Sequence, residues 1–262
     1  MTSSNYDLAE LNSALSKTIY ANRIHYFPEI ASTNTAAMAA AAGGAEEGTV
    51  FLADQQTAGR GRNGHSWHSE TGSAILVSIV LRPRIAAAQS LWLSLMAGVA
   101  VYDAVSRVCD LVCDLRWPND LLFGKRKFCG ILTEISAESE RLRFAVVGIG
   151  INVGQLSFPA ELSQMATSLA VETGKTWPRT ALLLALLESL ESEYFRALKH
   201  GGTEALLRRV GSISSYGRGK SVYVDEAGGY EGVTEGLDER GFLLVRTSEG
   251  IRRVLSGGVR ER

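Results

Sequence analysis

The chain has 262 residues, of which 45% are hydrophobic and 21% are charged, and its formal net charge is −1. These values are typical of a soluble globular protein of one or two domains. The near-zero charge excludes an overall electric field that would attract nucleic acid or an acidic membrane. The segment from Met1 to Tyr20 lacks the basic start and apolar run of a signal peptide. We therefore expect a cytoplasmic protein without a membrane span.

The first half of the chain predicts alternating helices and strands. Asp7–Thr18 is expected to form a short helix, and Ser32-Thr33-Asn34 offers capping side chains for a second helix over Ala36–Ala42. The apolar spacing of Ser90–Val108 predicts a long buried helix. The predicted strands of this half are Ile24–Phe27, Thr49–Gln55 and Ala74–Leu81.

Cysteine usage argues against a disulfide framework. The three cysteines are odd in number, and no secretory signal precedes them. Cys109 and Cys113 are four residues apart, so we expect them on one helix as buried thiols, with a metal or redox role as the alternative.

The second half predicts two strands, two helices and then an all-β segment. The strands are Phe128–Ile135 and Phe144–Val153, and the helices are Pro178–Leu198 and Thr203–Val210. After a change of composition near Gly211–Lys220, short β-type runs alternate with glycine turns such as Ala227-Gly228-Gly229. These runs are Ser221–Asp225, Tyr230–Glu235, Phe242–Arg246 and Ile251–Leu255.

The pattern predicts an α+β fold in which helices flank a mixed central β-sheet and a small β-barrel follows. We expect three parts: a leader or short helix over residues 1–20, a main domain over 21–212 and a C-terminal β domain over 213–262.

The most informative segment runs from Gln55 to Trp67, within a predicted long loop over Thr57–Gly72. Its glycines let the backbone approach a ligand closely. Arg60 and Arg62 offer planar donors for carboxylate or phosphate oxygens, and Trp67 can cover an apolar ligand face. On residue types alone, a solvated surface turn is an equally good interpretation.

Two nucleotide motifs match only in form. Gly59–Gly64 fits G-x-G-x-x-G, but the residues after it show no helical period, and the dinucleotide fingerprint needs a helix there. Gly219-Lys220-Ser221 resembles the end of a P-loop, but Ser214 stands where its first glycine is required. Neither motif predicts a nucleotide site.

The chain resembles the biotin protein ligases in five ordered motifs. The segment Gly59–Trp67 is similar to the family's Gly-Arg-Gly-Arg-x-Gly-x-x-Trp loop. The other motifs are Ser32-Thr33-Asn34, Trp117-Pro118-Asn119-Asp120, Lys127 with Gly130-Ile131-Leu132, and Gly148-Ile149-Gly150-Ile151-Asn152. The C-terminal runs fit the family's SH3-like domain, so the resemblance covers nearly the whole chain.

The resemblance implies a function and a set of site residues. Biotin would be activated by ATP, with Mg²⁺, as biotinyl-5′-AMP and passed to a lysine of a biotin carboxyl carrier protein. The main domain would be a class II synthetase-like biotin/lipoate ligase catalytic domain.

The implied catalytic residues are Arg60, Arg62 and Lys127. The implied biotin-binding residues are Ser32, Thr33, Asn34, Gln56, Gly59, Arg60, Gly61, Arg62, Lys127 and Gly130. The implied ATP or adenylate residues are Arg60, Arg62, Trp67, Asn119, Asp120, Lys127 and Asn152, and no metal ligand is firmly assigned.

Several alternatives stay open at this point. Ser32 could serve only as a helix cap, Asp120 and Asn152 could only fix turns, and Lys127 could be a solvated surface lysine. Arg116 stands where the family usually has lysine, and no specific contact is assigned to it.

Rival functions are a lipoate ligase or octanoyltransferase, and an RNA-binding module, which the neutral charge disfavours. Longer members of the family carry an N-terminal DNA-binding domain. We expect a short form without repressor activity, acting as a monomer or homodimer without DNA or membrane partners.

Overall fold

A computed structural model describes residues 6–226 and 228–262 of the chain, and it contains two β-sheets. The larger sheet has seven strands in the order β1-β2-β3-β7-β6-β5-β4. Its strands are β1 Ile24–Phe27, β2 Val50–Ala53, β3 Ala74–Leu81, β4 Asp114–Arg116, β5 Asp120–Phe123, β6 Arg126–Glu138 and β7 Arg141–Asn152. Strands β1 and β2 are parallel, and all other neighbours in this sheet are antiparallel. The expected mixed central sheet is confirmed.

Helices lie on both faces of this sheet. They are α1 Leu8–Ala14, α2 Thr33–Ala42, α3 Leu91–Cys109, α4 Leu169–Thr173, α5 Arg179–Ala197 and α6 Gly202–Ile213. The first helix begins after the N-cap Asp7, whose side chain accepts a hydrogen bond from the Glu10 N–H. The fifth begins after Pro178, a position where a missing N–H costs little.

Strand β3 shows why both faces are covered, because all eight of its residues are buried. Its odd-numbered residues, such as Ile75 and Ile79, belong to the large core shared with α3 and α5. Val80 instead packs in a smaller cluster with Ala37 and Ala41 of α2. Since alternate side chains of a strand point to opposite faces, α2 covers one face of the sheet and the long helices cover the other.

The second sheet is antiparallel and formed by the C-terminal part of the chain. Its strand order is β11-β10-β9-β8-β12. The strands are β8 Ser221–Val224, β9 Tyr230–Leu237, β10 Leu243–Thr247, β11 Gly250–Arg253 and β12 Val259–Glu261. It packs against the rest of the protein, since the indole N–H of Trp117 donates a hydrogen bond of 2.8 Å to the carbonyl of Gly241.

The structure differs from the sequence expectations in several elements. The first helix is shorter than Asp7–Thr18, and strands β4, β5 and β12 and the short helix α4 were not predicted. Cys109 ends α3, whose C-cap Asp110 is left-handed, so Cys113 lies beyond the helix and the shared helix was wrong. All three cysteines are buried free thiols, as expected. Met1–Asn5 of the predicted leader and Ala227 of the predicted turn lie outside the described residues.

One segment of the described chain, Ala87–Cys109, is apolar and long enough to cross a membrane by length and composition alone. However, 67% of its most apolar window is buried inside the protein. A core helix of a soluble protein passes the same test, so this segment is weak evidence for a membrane span.

Candidate active site

The floor of the site is a part of the sheet where three glycines replace side chains. Gly130 of β6 pairs with Gly150 of β7, and Gly148 pairs with Leu132 in the next row on the same face. Gly148 pairs with Ser78 of β3, and Ser78 points to the same face of the sheet as Val80, which packs against α2. The glycine rows therefore lie on the face that α2 covers in part. The missing side chains leave a cavity over this part of the sheet, and all three glycines line it.

Two other side chains occupy the space above these glycines. A Cβ at Gly150 would lie 2.6 Å from Cε2 of Trp67, and a Cβ at Gly148 would lie 2.0 Å from Oδ1 of Asn34. Contacts this short between heavy atoms are repulsive. Each glycine is therefore required by a close approach to the sheet.

The N-terminus of α2 brings neutral polar groups to the cavity. Ser32 is the N-cap and accepts a hydrogen bond from the Thr35 N–H, as its predicted capping role requires. The Thr33 N–H donates to Oε1 of Gln56 over 2.7 Å, which ties the helix to the segment that follows β2. Ser32, Thr33, Asn34 and Gln56 all line the cavity. Capping and ligand binding are thus compatible uses of Ser32.

The predicted Arg-Gly loop is a tight turn beside the cavity. The Gly61 N–H donates to the carbonyl of His65 over 2.7 Å, and the Trp67 N–H donates to the carbonyl of Gly59 over 2.9 Å. A Cβ on Gly59 would lie 2.6 Å from the Trp67 carbonyl oxygen, so this close approach requires glycine. The turn directs Arg60, Gly61, Arg62 and Trp67 toward the cavity, which all four line.

A charged cluster lies at the end of the glycine floor. Arg116, Asp120, Gly130 and Gly150 pair in register across four strands, so they share one face. Oδ2 of Asp120 accepts from Arg116 at 2.6 Å, and Oδ1 lies 2.6 Å from Nζ of Lys127. Arg116, to which the sequence assigned no contact, thus binds Asp120 of the neighbouring strand.

The pKa values in the cluster follow from these neighbours. Burial raises the pKa of the Asp120 carboxyl, but Lys127 and Arg116 outweigh burial and hold the pKa below its usual value. Burial lowers the pKa of Arg62, and the nearby Asp120 charge partly opposes this. Asp120 is therefore ionised at neutral pH and binds two cations together.

Asn119 connects the loop to this cluster. Its Nδ2 donates to the carbonyl of Ile131 over 2.9 Å, and its Oδ1 accepts from Nη1 of Arg62 at 2.9 Å. The first bond fixes the amide orientation and therefore presents oxygen, not nitrogen, to the guanidinium. Nζ of Lys127 lies 5.6 Å from the ring centre of Trp67 and can form a cation–π contact with it.

Most of the residues assigned by resemblance meet at this one cavity. Three of them do not line it. Gly59 accepts a hydrogen bond from the Trp67 N–H within the turn, Asp120 binds Lys127 outside the cavity lining, and Asn152 lies at the end of β7. The buried Asn152 donates to the carbonyl of Thr167 over 3.0 Å, and the Thr167 N–H in turn donates to the Lys127 carbonyl. Asn152 thus contacts the segment that flanks Lys127.

Sequence reasoning missed two polar residues behind the cavity. Ser78 is fully buried on β3 and contacts Thr33 and Asn34. Glu134 on β6 accepts from Nδ2 of Asn34 at 2.9 Å and pairs with Arg60 at 3.1 Å. The available signals were a polar residue inside the apolar strand Ala74–Leu81 and an acidic residue two positions after Leu132.

A resident metal site does not fit the donor set. Among residues 6–226 and 228–262, no group of three or more His, Cys, Asp or Glu side chains could hold a metal ion. Asp120, which pairs with Gly130 of the floor, already contacts two cations.

The fold and the site define the class of protein. The protein combines a mixed sheet with flanking helices, a C-terminal antiparallel sheet of SH3-like type, and a cationic turn over a glycine floor. The model of the Biotin/lipoate A/B protein ligase family matches residues 26–152, and that of the Biotin protein ligase C terminal domain matches residues 219–259.

Relatives of known name agree with this class. The chain is 36% identical over 254 residues to the Bifunctional ligase/repressor BirA of Bacillus spizizenii, covering 96% of this chain and 78% of that protein. It is 35% identical over 222 residues to the Biotin–[acetyl-CoA-carboxylase] ligase of Mycobacterium tuberculosis, covering 82% and 79%. The structure of biotin protein ligase from Aquifex aeolicus in complex with biotin and ATP superposes with a TM-score of 0.78 at 32% identity, covering 92% and 98%.

The chain therefore belongs to the biotin protein ligase family. Its fold class is the one expected from the resemblance.

Proposed function

We propose that this chain activates biotin with ATP as biotinyl-5′-AMP and transfers the biotinyl group to a lysine of a biotin carboxyl carrier protein. ATP-dependent biotin ligation is the activity of the family to which the chain belongs. The acceptor and the role of each residue are the finer parts of the proposal. The observation that carries them is the distribution of side chains in one cavity. Neutral polar groups lie over the sheet row that contains Gly148, and cationic groups lie beside the row that contains Gly130 and Gly150.

The two rows suit the two ends of biotin. The row of Ser78, Gly148 and Leu132 lies under Asn34 at the start of α2, and the row of Gly130 and Gly150 lies under Trp67 and Lys127. Residues two apart in a strand are separated by about 7 Å. The polar ring would bind Ser32, Thr33 and Gln56, and the carboxylate would extend over the glycines to Lys127.

The cations would then join two anions that repel each other. A biotin carboxylate oxygen attacks the α-phosphorus of ATP, an O–P bond forms, and the bond to pyrophosphate breaks. Lys127 has three N–H donors, so it can bind Asp120 and the biotin carboxylate together. Arg60 and Arg62 would stabilise the charge at the α-phosphate, with Asn119 orienting Arg62. Asp120 and Asn152 would not contact the reacting atoms. Asp120 would hold Lys127 in place, and Asn152 would hold the segment beside Lys127 through Thr167.

The second step needs an uncharged amine and a site that excludes water. The nitrogen of the acceptor lysine attacks the acyl carbon of the mixed anhydride, loses a proton, and AMP leaves. Trp67 and the Gly59–Gly64 turn would cover the anhydride and slow its hydrolysis. No side chain of the protein forms a covalent intermediate in this scheme.

Magnesium would enter with ATP as part of the substrate. Mg²⁺ is usually bound by one or two carboxylates together with substrate phosphates, and not by a cage of protein ligands. We further propose a cytoplasmic location, since three buried free thiols suit a reducing compartment. Action as a monomer or homodimer without DNA or membrane partners remains part of the proposal.

The test is an assay with Mg·ATP, biotin and a purified carrier domain, read by the mass gained on the acceptor. Lys127→Met should slow pyrophosphate exchange by about 10²–10³-fold, the usual loss when one group stabilising charge in the transition state is removed. Lys125→Met is the matched control, because Lys125 is 77% exposed and pairs only weakly with Glu261 at 3.5 Å. Transfer of lipoate but not biotin, or normal exchange by Lys127→Met, would contradict the proposal.

A further inference from the structure

Arg116 is a cation of the cluster to which the proposed reaction assigns no part. It lies at the end of the row of paired residues that runs through Asp120 and Gly130 to Gly150, all on one face of the sheet. Its backbone is two strands, or about 10 Å, from Gly130. Arg116 is not among the described residues that line the cavity. An effect of Arg116 on a ligand therefore has to pass through another residue.

That residue is Asp120, whose two oxygens pair with different cations. Oδ2 accepts from Nη2 of Arg116 at 2.6 Å, and Oδ1 lies 2.6 Å from Nζ of Lys127. The Asp120 side chain is only 14% exposed, so water competes little with the two cations. Lys127 itself lines the cavity. One buried carboxylate thus connects a cation that can meet a ligand with a cation that lies outside the cavity lining.

Asp120 and a substrate carboxylate compete for the same ammonium group of Lys127. If Lys127 were the only partner of Asp120, the pair would have no net charge. An anion approaching Lys127 would then be attracted by the ammonium and repelled by the carboxylate beside it. Arg116 reduces this repulsion, because it neutralises Asp120 from the other side. The two cations together also hold the pKa of Asp120 below its usual value, so the carboxylate stays charged and its attraction is divided between them.

The third cation of the cluster does not occupy the oxygens of Asp120. Arg62 donates instead to the neutral Oδ1 of Asn119 at 2.9 Å. Among the described residues, the ion pairs of Asp120 are those with Arg116 and Lys127. Removing Arg116 would therefore leave both oxygens of Asp120 to Lys127, although Arg62 would still contribute positive charge nearby.

We propose that Arg116 is a positioning residue that occupies Oδ2 of Asp120, weakens the hold of Asp120 on Lys127 and so leaves the Lys127 ammonium available to the carboxylate of biotin. The inference rests on the proposed function. It assigns Arg116 no contact with biotin or ATP. Since the effect is one of charge, it applies to an anionic ligand and not to a neutral ligand of the same shape.

The test compares biotin with biotinol, in which an alcohol replaces the carboxylate, by isothermal titration calorimetry on the full chain. Arg116→Met removes the charge and keeps a side chain of similar reach. We expect the Kd for biotin to rise by about 3–10-fold, as for one unit charge about 10 Å away at an effective dielectric constant of about 25–50. The Kd for biotinol should change by less than about 2-fold.

Two further variants separate charge from general damage. Arg116→Lys keeps a cation beside Asp120 and should recover most of the loss in biotin affinity. Arg107→Met is the matched control, because it also removes an arginine from an ion pair, here with Glu188 at 2.8 Å on the far helices α3 and α5. It should leave both Kd values unchanged.

The outcomes distinguish this inference from the proposed function. Equal weakening of biotin and biotinol by Arg116→Met would indicate a purely structural role and would overturn the inference. An unchanged Kd for biotin, or a loss that Arg116→Lys does not recover, would also overturn it. If the wild-type chain forms no biotinyl-AMP with Mg·ATP, the proposed function itself fails. If the wild type is active and Arg116→Met weakens both ligands alike, the inference alone fails.

Discussion

Replacing Asp120 by asparagine tests whether one carboxylate holds the cationic cluster together. Asp120 is bound by Arg116 and Lys127, each at 2.6 Å. Removing one partner of a fully buried ion pair typically costs about 3–5 kcal/mol. Here the side chains of the two cations are 25% and 32% exposed, so water can partly solvate them after the change. We therefore expect Asp120→Asn to lower the free energy of unfolding by about 1–3 kcal/mol at pH 7.

The pH dependence of this difference has a defined sign. The folded-state pKa of Asp120 lies below its usual value, so its contribution is complete above the unfolded pKa of about 4 and is lost as pH falls through the folded pKa. The gap between wild type and Asp120→Asn should stay constant from pH 7 to about pH 5 and narrow below about pH 4.

Urea unfolding across this pH range, with Asp110→Asn as an exposed control, measures both effects. Equal stability of wild type and Asp120→Asn at pH 7, or a gap that widens on acidification, would refute the reasoning.

Three further predictions use the same assays. Gly148→Ala should lower the free energy of unfolding by about 2–4 kcal/mol, because its Cβ would meet the buried amide of Asn34 at 2.0 Å; unchanged urea unfolding would contradict this. Gly130→Ala should lower the free energy of unfolding by about 1–3 kcal/mol and slow pyrophosphate exchange, because its Cβ would lie 2.8 Å from Nζ of Lys127 and 2.9 Å from Cζ3 of Trp67 and would displace both side chains; normal exchange would count against this role. Cys113, whose pKa burial raises to about 12, should resist iodoacetamide at pH 8 until urea is added, and rapid labelling of the native protein would show the reverse.

The elements that the sequence predicted well are those with a long, regular pattern. Strands β3 and β7 and helices α3 and α5 each bury a continuous set of apolar side chains. Strands β4 and β5 have only three and four residues, with Pro118 between them, so local propensity gives little signal. Their pairing depends on cross-strand contacts, including the one between Arg116 and Asp120. Tertiary context, not local pattern, forms these strands.

The same distinction separates the site residues. The turn from Gly59 to Trp67 was recognisable because its residue types stand together in the chain. Ser78 and Glu134 lie 44 and 100 positions from Asn34, and only the sheet register places them beside it. A shift of one residue in that register would turn both side chains to the opposite face. The contacts behind the cavity therefore could not be inferred from spacing in a single sequence.

The balance of charge in the cluster explains how the site can exist before its substrates arrive. Arg62, Arg116 and Lys127 would repel one another at the end of the glycine floor if no anion lay among them. Asp120 lies 2.6 Å from both Arg116 and Lys127, and its charge also favours the ionised form of Arg62. One carboxylate among three cations holds the cluster together and still leaves it net positive. The cluster can therefore form in the free protein and attract two further anions, whereas a second carboxylate there would halve its net positive charge and weaken that attraction.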